Sequence, residues 1–574
     1  MTGFEIERFR FDPSAVKEWS AADRRLSNWP VVYALDGNDA IYVGETLNAA
    51  SRLRQHLKSS DARKQQLQSA RVILDDTFNK SVCLDLESFL IRMFAGDGRF
   101  AVLNRNEGIT DADYFDRPKY QQTFEEVFEQ LRAEGLFSRS IPNIVNDDLF
   151  KLSPFKALND DQAAAVEDIL GGLFSDLERG VGSTSVIEGS PGTGKTIVAI
   201  FLMKLLRDIA TTPGNEILEG DSFFSDFFAP GYRELLDGFR IALVVPQQSL
   251  RASIRRVFKK TPGLDPSMAI TPFDVGESDD KFDLLIVEEA HRLNQRANQP
   301  SGVQNKRFRD INERLFGTDD VRHTQLDWIR AQSKHQLLLF DSAQSVRPAD
   351  LPIAAQRHVI DAARSEHRFY PLASQMRVRA GDDYIGYVRR VLSPEPPAPR
   401  RFEGYDLRFF ERAGDMREQI RRRDEEVGLA RLVAGYAWEW VSKNDRSRVD
   451  IEIDGESFRW NSADKDWINS PGALDEMGSI HTVQGYDLNY AGVVIGPDLR
   501  WDAASSRIVF DRAHYFDTKG KENNPKLGLV YSDDDLLTFV RNVYGVLMTR
   551  GIRGTYLFVC DPTLRERLRP YFTA

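Results

Sequence analysis

Eight consecutive residues, Gly189-Ser190-Pro191-Gly192-Thr193-Gly194-Lys195-Thr196, have the make-up of a loop that wraps phosphate. The glycines let successive backbone N–H groups turn toward anionic oxygens. Lys195 brings an ammonium for the β- and γ-phosphates, and Thr196 offers a hydroxyl to Mg²⁺. Further along, the apolar run Phe282 to Val287 ends on two adjacent acids, Glu288 and Glu289. One acid suits the shell of a phosphate-bound Mg²⁺, and the next suits a general base for an attacking water. The first acid of such a pair is commonly Asp, so Glu288 places its carboxyl one methylene further out. Near the start of the chain, Tyr33, Tyr42, Arg52, His56, Glu87 and Asn104 follow in order. A metal to polarise the phosphate, a base for the water and a cation for the developing charge are what phosphodiester hydrolysis requires.

The flanking patterns give these residues elements to stand on. Val186-Ile187 reads as a strand entering the phosphate loop, and Ile197 to Leu206 as the helix leaving it, so phosphate would meet a helix N-terminus. Short apolar runs at Ser185–Ile187, Ala242–Val245, Leu284–Val287, Leu337–Phe340, Gly492–Ile495 and Tyr556–Val559 alternate with helical patterns, the signature of parallel α/β architecture. Earlier, Val31–Leu35 and Ile41–Val43 flank Asp36-Gly37-Asn38-Asp39, whose composition predicts a hairpin turn with positive φ. Helices are expected around Leu84–Phe94, with Leu86, Phe89, Leu90 and Met93 on one face, and around Phe124–Leu131. Ser138 to Pro154 has turn residues and little periodicity, which marks a boundary.

Composition sets the limits. At 574 residues, roughly 150 residues per domain suggests about four units. Hydrophobic residues at 41% and charged residues at 28% belong to a globular chain. Two cysteines, Cys83 and Cys560, cannot build a disulfide framework or a four-thiolate zinc site. No apolar run reaches the roughly 18 residues of a membrane span, and the start lacks a signal-peptide core, so the expectation is a cytoplasmic protein with no membrane partner. The net charge of -11 argues against an all-basic surface but leaves room for a local basic track. Arg52, Arg54, Lys58, Arg63, Lys64 and Arg71 form one such stretch, which reads either as a solvated helical face or as a hold on polyanionic substrate.

Beyond about residue 150 the motifs arrive in a familiar order. Leu158-Asn159-Asp160-Asp161-Gln162 resembles an adenine-reading glutamine motif, and Val245-Pro246-Gln247-Gln248-Ser249-Leu250 a segment that touches single-stranded nucleic acid. Leu339 to Gln344 resembles motif III, Leu372 to Arg377 motif IV, His481 to Asp487 motif V and Asn542 to Arg550 motif VI. This region is similar to superfamily 1 helicases, and most closely to the Schlafen-type, group 3-like DNA/RNA helicase domain. The resemblance implies two RecA-like lobes, 151–370 and 371–574, that bind ATP with Mg²⁺ between them and step along DNA or RNA. It casts Gln162 as adenine reader, residues 189–196 as phosphate loop, Thr196 and Glu288 as metal ligands and Glu289 as base. Gln344 becomes the γ-phosphate sensor, with Arg377 and Arg550 as arginines supplied from the second lobe.

The front of the chain has its own likeness. Val31-Val32-Tyr33, Tyr42-Val43-Gly44 and the residues through Arg52 and His56 to Glu87 and Asn104 resemble the GIY-YIG endonuclease domain, here over 1–110 with a helical linker at 111–150. That family implies Glu87 as ligand of a second Mg²⁺ or Mn²⁺, a tyrosine (Tyr33 rather than Tyr42) as base, Arg52 as phosphate stabiliser and Asn104 as brace. Gly44 would let the backbone turn tightly beside the site. The expected fold is therefore α/β, two RecA-like parallel-sheet lobes behind a small α+β nuclease domain. The expected function is an ATP-dependent motor carrying a metal-dependent nuclease, with phage defence or DNA maintenance as the implied setting. The alternative is an ATP-gated sensor or clamp that licenses the nuclease without unwinding. Polarity, DNA against RNA, and oligomeric state have no signature in the sequence.

Overall fold

Three sheets form the scaffold in a computed structural model that describes residues 3–21, 24–59, 63–104, 114–156, 158–212, 224–296, 299, 301–341, 347–375, 378, 381–443, 445–463, 467–483 and 486–573. By compactness, Met1–Glu167, Thr196–Gly238 and Ser253–Met268 form one unit, and Asp168–Lys195, Phe239–Ala252 and Ala269–Ala574 a second.

The first unit holds a sheet of five strands: β1 (Phe4–Arg10), β2 (Val31–Asp36), β3 (Ala40–Thr46), β4 (Ser69–Asp75) and β5 (Ala101–Val102), in the order β1-β4-β2-β3-β5. All pairings are antiparallel except β3 with β5. Alternation splits β2 between two cores, Val32 and Ala34 in one, Val31, Tyr33 and Leu35 in the other. The first core takes Leu86, Leu90 and Phe94 from the helix Lys80–Asp97. It also takes Phe124, Val127, Phe128 and Leu131 from Arg117–Ala133, a helix in the stretch expected as linker. The hairpin forms where the sequence placed it, but its turn differs: none of Asp36, Gly37, Asn38 and Asp39 has positive φ. Gly37 answers to crowding instead, because a Cβ there would lie 2.5 Å from the Gln66 carbonyl oxygen. Arg71, expected within a basic face, lies on β4 only 2% exposed, paired with Asp36 and, at 2.8 Å, with Glu134. A buried guanidinium with two carboxylate partners is structural.

The second unit carries two parallel sheets. One comprises β6 (Ser183–Gly189), β7 (Ile241–Val244), β8 (Ala269–Ile270), β9 (Phe282–Val287), β10 (Ser333–Phe340) and β11 (Phe369–Leu372), ordered β11-β6-β10-β9-β7-β8, with every pairing parallel. The other comprises β12 (Asp406–Phe409), β13 (Ala430–Ala434), β14 (Ile451–Ile453), β15 (Glu456–Trp460), β16 (Glu476–Ser479), β17 (Leu488–Ile495) and, after a separate hairpin of β18 (Leu499–Asp502) and β19 (Arg507–Phe510), β20 (Gly551–Val559). Its order is β12-β20-β17-β13-β16-β15-β14, parallel apart from β14 with β15. Sheets covered on both faces need apolar residues at successive positions. Along β17, Ala491, Val493 and Ile495 enter one core while Tyr490 and Val494 enter another. Two parallel α/β sheets are the architecture that RecA-like lobes require.

Candidate active sites

β6 and β9 both flank β10, so the phosphate loop and the acid pair leave the same C-terminal edge of one sheet, where ligands of open α/β sheets bind. The loop is built for close approach. Gly192 and Gly194 have φ of 90° and 82°, which other residues reach at a cost. A Cβ on Gly189 would stand 2.4 Å from the Thr193 hydroxyl and 3.0 Å from the Leu372 carbonyl oxygen. The Lys195 ammonium, 8% exposed, donates to the carbonyls of Gly189 at 2.6 Å and Ser190 at 3.1 Å. Thr193 Oγ1 also donates to Ser190 at 3.0 Å. Pro191 completes the loop, and Lys195 opens the helix Lys195–Thr211 with Thr196 next in its first turn. A buried ammonium held by carbonyls at the mouth of a glycine cradle fits the phosphates of a nucleotide.

Glu288 is 2% exposed. Glu289 adopts a left-handed conformation (φ 49°, ψ 49°) before a single turn at Ala290–Arg292. Strain of this kind in a non-glycine residue is held in place by its surroundings, and here those include His291. The Asp341 backbone N–H approaches His291 Nδ1 at 3.3 Å, and His291 Nε2 lies 3.0 Å from Glu289 Oε2. Burial lowers the pKa of His291, so the ring is neutral. With Nδ1 accepting, the proton sits on Nε2, which is close to Glu289 Oε2 but outside hydrogen-bond geometry. The ring packs against that carboxylate, and among the described residues neither His291 Nε2 nor Glu289 Oε2, both buried, has a hydrogen-bond partner.

The remaining expected residues are placed unevenly. Gln344 and Arg377 lie outside the described residues. Beside Arg377, Gln375 Nε2 donates to the Pro191 carbonyl at 2.7 Å, so motif IV touches the phosphate loop through its glutamine. Arg389 reaches Asp341 at 3.5 Å. Arg550 is 2% exposed and donates to the Tyr486 carbonyl at 3.3 Å, so motif VI here bonds motif V. Gln162 belongs to the first unit and is 1% exposed. Its Oε1 accepts from Asn159 N at 3.2 Å, while Asn159 Oδ1 accepts from Gln162 N at 2.9 Å. That reciprocal pair caps the helix Asp160–Arg179.

In the first unit, β2, β3 and the helix Ala49–Leu57 bring the front residues together. Tyr33 Oη lies 2.8 Å from His56 Nε2 and accepts from Arg52 Nε at 3.3 Å. The Tyr42 and His56 rings are 4.7 Å apart, and Lys64 sits 4.8 Å over the Tyr42 ring. Asn104 braces β3 by accepting from Val43 N at 3.1 Å and donating to Val43 O at 2.7 Å. Burial, then Tyr42, raises the Tyr33 pKa well above the ordinary phenol value, and Glu87 adds to the rise from the neighbouring helix. Burial, with Arg52 and Lys64, pulls His56 down to about 3. Gly44 sits inside β3 and makes no turn: a Cβ there would stand 2.3 Å from Tyr33 Oη, so its role is to admit that ring. Among the described residues no group of three or more His, Cys, Asp or Glu could hold a metal ion. Among the described residues no helix is long and apolar enough to cross a membrane.

Residues 183–561 match the Schlafen group 3, DNA/RNA helicase domain, well over half of the chain. The chain belongs to the Schlafen group 3 helicase family. That membership gives it a nucleic-acid motor domain, with ATP and Mg²⁺ as the cofactor implied and nucleic acid as the partner. The chain is also similar to an uncharacterized protein of Saccharomyces cerevisiae, 24% identical over 414 residues that span 67% of this chain and 83% of the relative. Among solved structures, Pif1 helicases coordinating at forked double-stranded DNA match over 71% of this chain and 94% of theirs, at 9% identity and a TM-score of 0.27. A likeness that low bears on neither fold nor function. The Schlafen match begins at Thr184's neighbour Ser183, so it leaves the nuclease resemblance of the front residues untouched.

Proposed function

We propose that this Schlafen group 3 protein is an ATP-driven helicase or translocase whose front domain cleaves the nucleic acid it handles. The observation that carries the motor is the shared sheet edge: Lys195 in its cradle and the Glu288–Glu289 pair lie on strands separated by β10 alone. In this reading Lys195 binds and orients the phosphates and Glu288 helps hold the metal. Glu289, against which the His291 ring packs, takes the proton of the attacking water. ATP with Mg²⁺ supplies the free energy of phosphoryl transfer. The reading also assigns Arg377 and Arg550 to transition-state charge and Gln344 to sensing, as the motifs suggest.

What supports the nuclease is the contact of Arg52, Tyr33 and His56. Tyr33 Oη accepts from Arg52 Nε and lies within hydrogen-bond distance of His56 Nε2. In this reading Tyr33, as the phenolate that the Arg52 guanidinium favours, takes the proton of the attacking water. Glu87 is the protein ligand for a Mg²⁺ or Mn²⁺, and Arg52 meets the charge on the phosphate. Such an enzyme would serve genome maintenance or defence against invading nucleic acid. The test is incubation of the purified chain with labelled single-stranded, duplex and tailed DNA and RNA, with and without ATP and Mg²⁺. Strand displacement with ATP supports the motor. Nucleic-acid-dependent phosphate release without displacement supports the gated clamp. Metal-dependent nicking lost in Glu87→Gln supports the nuclease.

A further inference from the structure

The excursion between β19 and the helix Asp533–Met548 carries Asp517 to Asn524, a polar stretch with no evident duty in the sequence. In the folded chain both ends of that stretch are tied down. Asp517 Oδ2 lies 2.9 Å from Nε2 of His481, the motif V histidine on the single turn Ile480–Val483. Its other oxygen accepts from Gly520 N at 2.9 Å. Asn524, 2% exposed, donates to the Arg296 carbonyl at 3.4 Å. Arg347 Nη2 meets the same ring, 2.9 Å from His481 Nδ1 and 3.1 Å from Nε2. A neutral imidazole satisfies both neighbours at once, donating from Nε2 to the carboxylate and accepting at Nδ1 from the guanidinium.

Arg347 opens the return from β10 and belongs to a short segment pinned to the residues just after the acid pair. Leu351 N donates to His291 O at 3.2 Å, and Gln295 N donates to Ala349 O at 3.0 Å. Asn294 bridges Asp350, and Gln295 Nε2 donates to Pro348 O at 2.7 Å. A continuous set of hydrogen bonds thus runs from Asp517 through His481 and Arg347 to the turn that holds His291 against Glu289.

We infer that Arg347, His481 and Asp517 are positioning residues that couple the second parallel sheet to the hydrolytic acid, so that the excursion 511–531 sets the alignment of Glu289. The inference rests on the motor reading above. A bonded path whose members sit on two sheets can transmit displacement of either, and a coupling of this kind shows as a change in stimulated rate rather than in affinity.

The test uses the full-length chain. Asp517→Asn should lower ATP turnover stimulated by single-stranded oligo-dT or oligo-U by about tenfold. Basal turnover and the KM for ATP should stay within about twofold, since neither contact touches nucleotide. Arg347→Gln should do the same, and the double variant should be no worse than either, because one path is cut twice. Hydrogen exchange supplies a readout independent of activity: the amides of Leu351 and Gln295 should exchange faster in Asp517→Asn. Asn524→Ala, which cuts the other anchor, serves if Asp517→Asn does not fold. Unchanged exchange at those amides overturns the path. Faster exchange with stimulation intact reduces it to a brace and overturns the coupling. Absence of stimulation in the unsubstituted chain overturns the motor reading instead, and exchange still decides the path.

Discussion

At the scale of single residues, the acid pair is the sharpest point of the proposed chemistry. Glu289 occupies a left-handed conformation with the neutral His291 ring 3.0 Å from its carboxylate, so Glu289→Gln should keep nucleotide but lower turnover by roughly 10²-fold or more. A nucleotide-binding titration beside steady-state phosphate release measures both, and unimpaired turnover would remove Glu289 as base. His291→Ala should lower kcat less than Glu289→Gln, with KM unchanged, because the ring packs against the Glu289 carboxylate and takes no part in the proton transfer itself. Glu288→Asp restores the commoner reach to the metal and should leave turnover intact or raise it, read from the Mg²⁺ dependence of phosphate release. A collapse in that variant would mean the site is built around the longer side chain.

The elements make separate demands. Between β2 and β3 the side-chain space at Gly44 is already filled by Tyr33 Oη, 2.3 Å from where a Cβ would sit. Gly44→Ala must therefore push Tyr33 off His56. It should abolish cleavage while ATP turnover stays within about twofold, since a clash in one sheet does not add to distant sites. Cleavage at the wild-type rate in that variant would disconnect Tyr33 from the chemistry. The hairpin also shows how turn composition can mislead. Asp-Gly and Asn-Asp suggest positive φ, yet Gly37 is there to pass the Gln66 carbonyl, a neighbour contributed from a distant part of the chain.

For the whole molecule, the two candidate sites stand on different sheets, so Glu87→Gln should stop nicking and leave nucleic-acid-stimulated ATP turnover near wild type. A parallel fall in ATP turnover would show that the sites do not work separately. Stability should carry the mark of one buried acid. Asp498 is 0% exposed; Oδ1 accepts from Tyr544 at 2.6 Å, while Oδ2 is buried with no hydrogen-bond partner among the described residues. Burial pushes its pKa up to about 7 from 3.8. Between those values the folded chain binds more protons than the unfolded one, so this group's contribution is full at acid pH and is lost as pH rises through 7. Asp498→Asn should therefore raise the thermal midpoint at pH 8, with the gain shrinking toward pH 4. A gain that is equal at both pH values would mean Asp498 is ionised throughout.

What was legible from sequence is what is local in it. The phosphate loop announces itself because backbone and side chains of eight consecutive residues do its work. The parallel strands do so because burial on both faces demands unbroken apolar runs, and the acid pair because it ends one of them. β1 escaped notice: its Phe-Glu-Ile-Glu-Arg-Phe-Arg alternation serves a sheet edge with one side toward water, and reads as surface. Arg71 escaped for the opposite reason, since its partners Asp36 and Glu134 are 35 and 63 residues away. The contacts that align the chemistry span still more chain: Gln375 with Pro191 over 184 residues, Arg347 with His481 over 134. No local preference encodes such pairs. They exist because packed sheets bring the C-terminal ends of their strands together, and which nitrogen of His291 or His481 carries the proton follows from the neighbours met there.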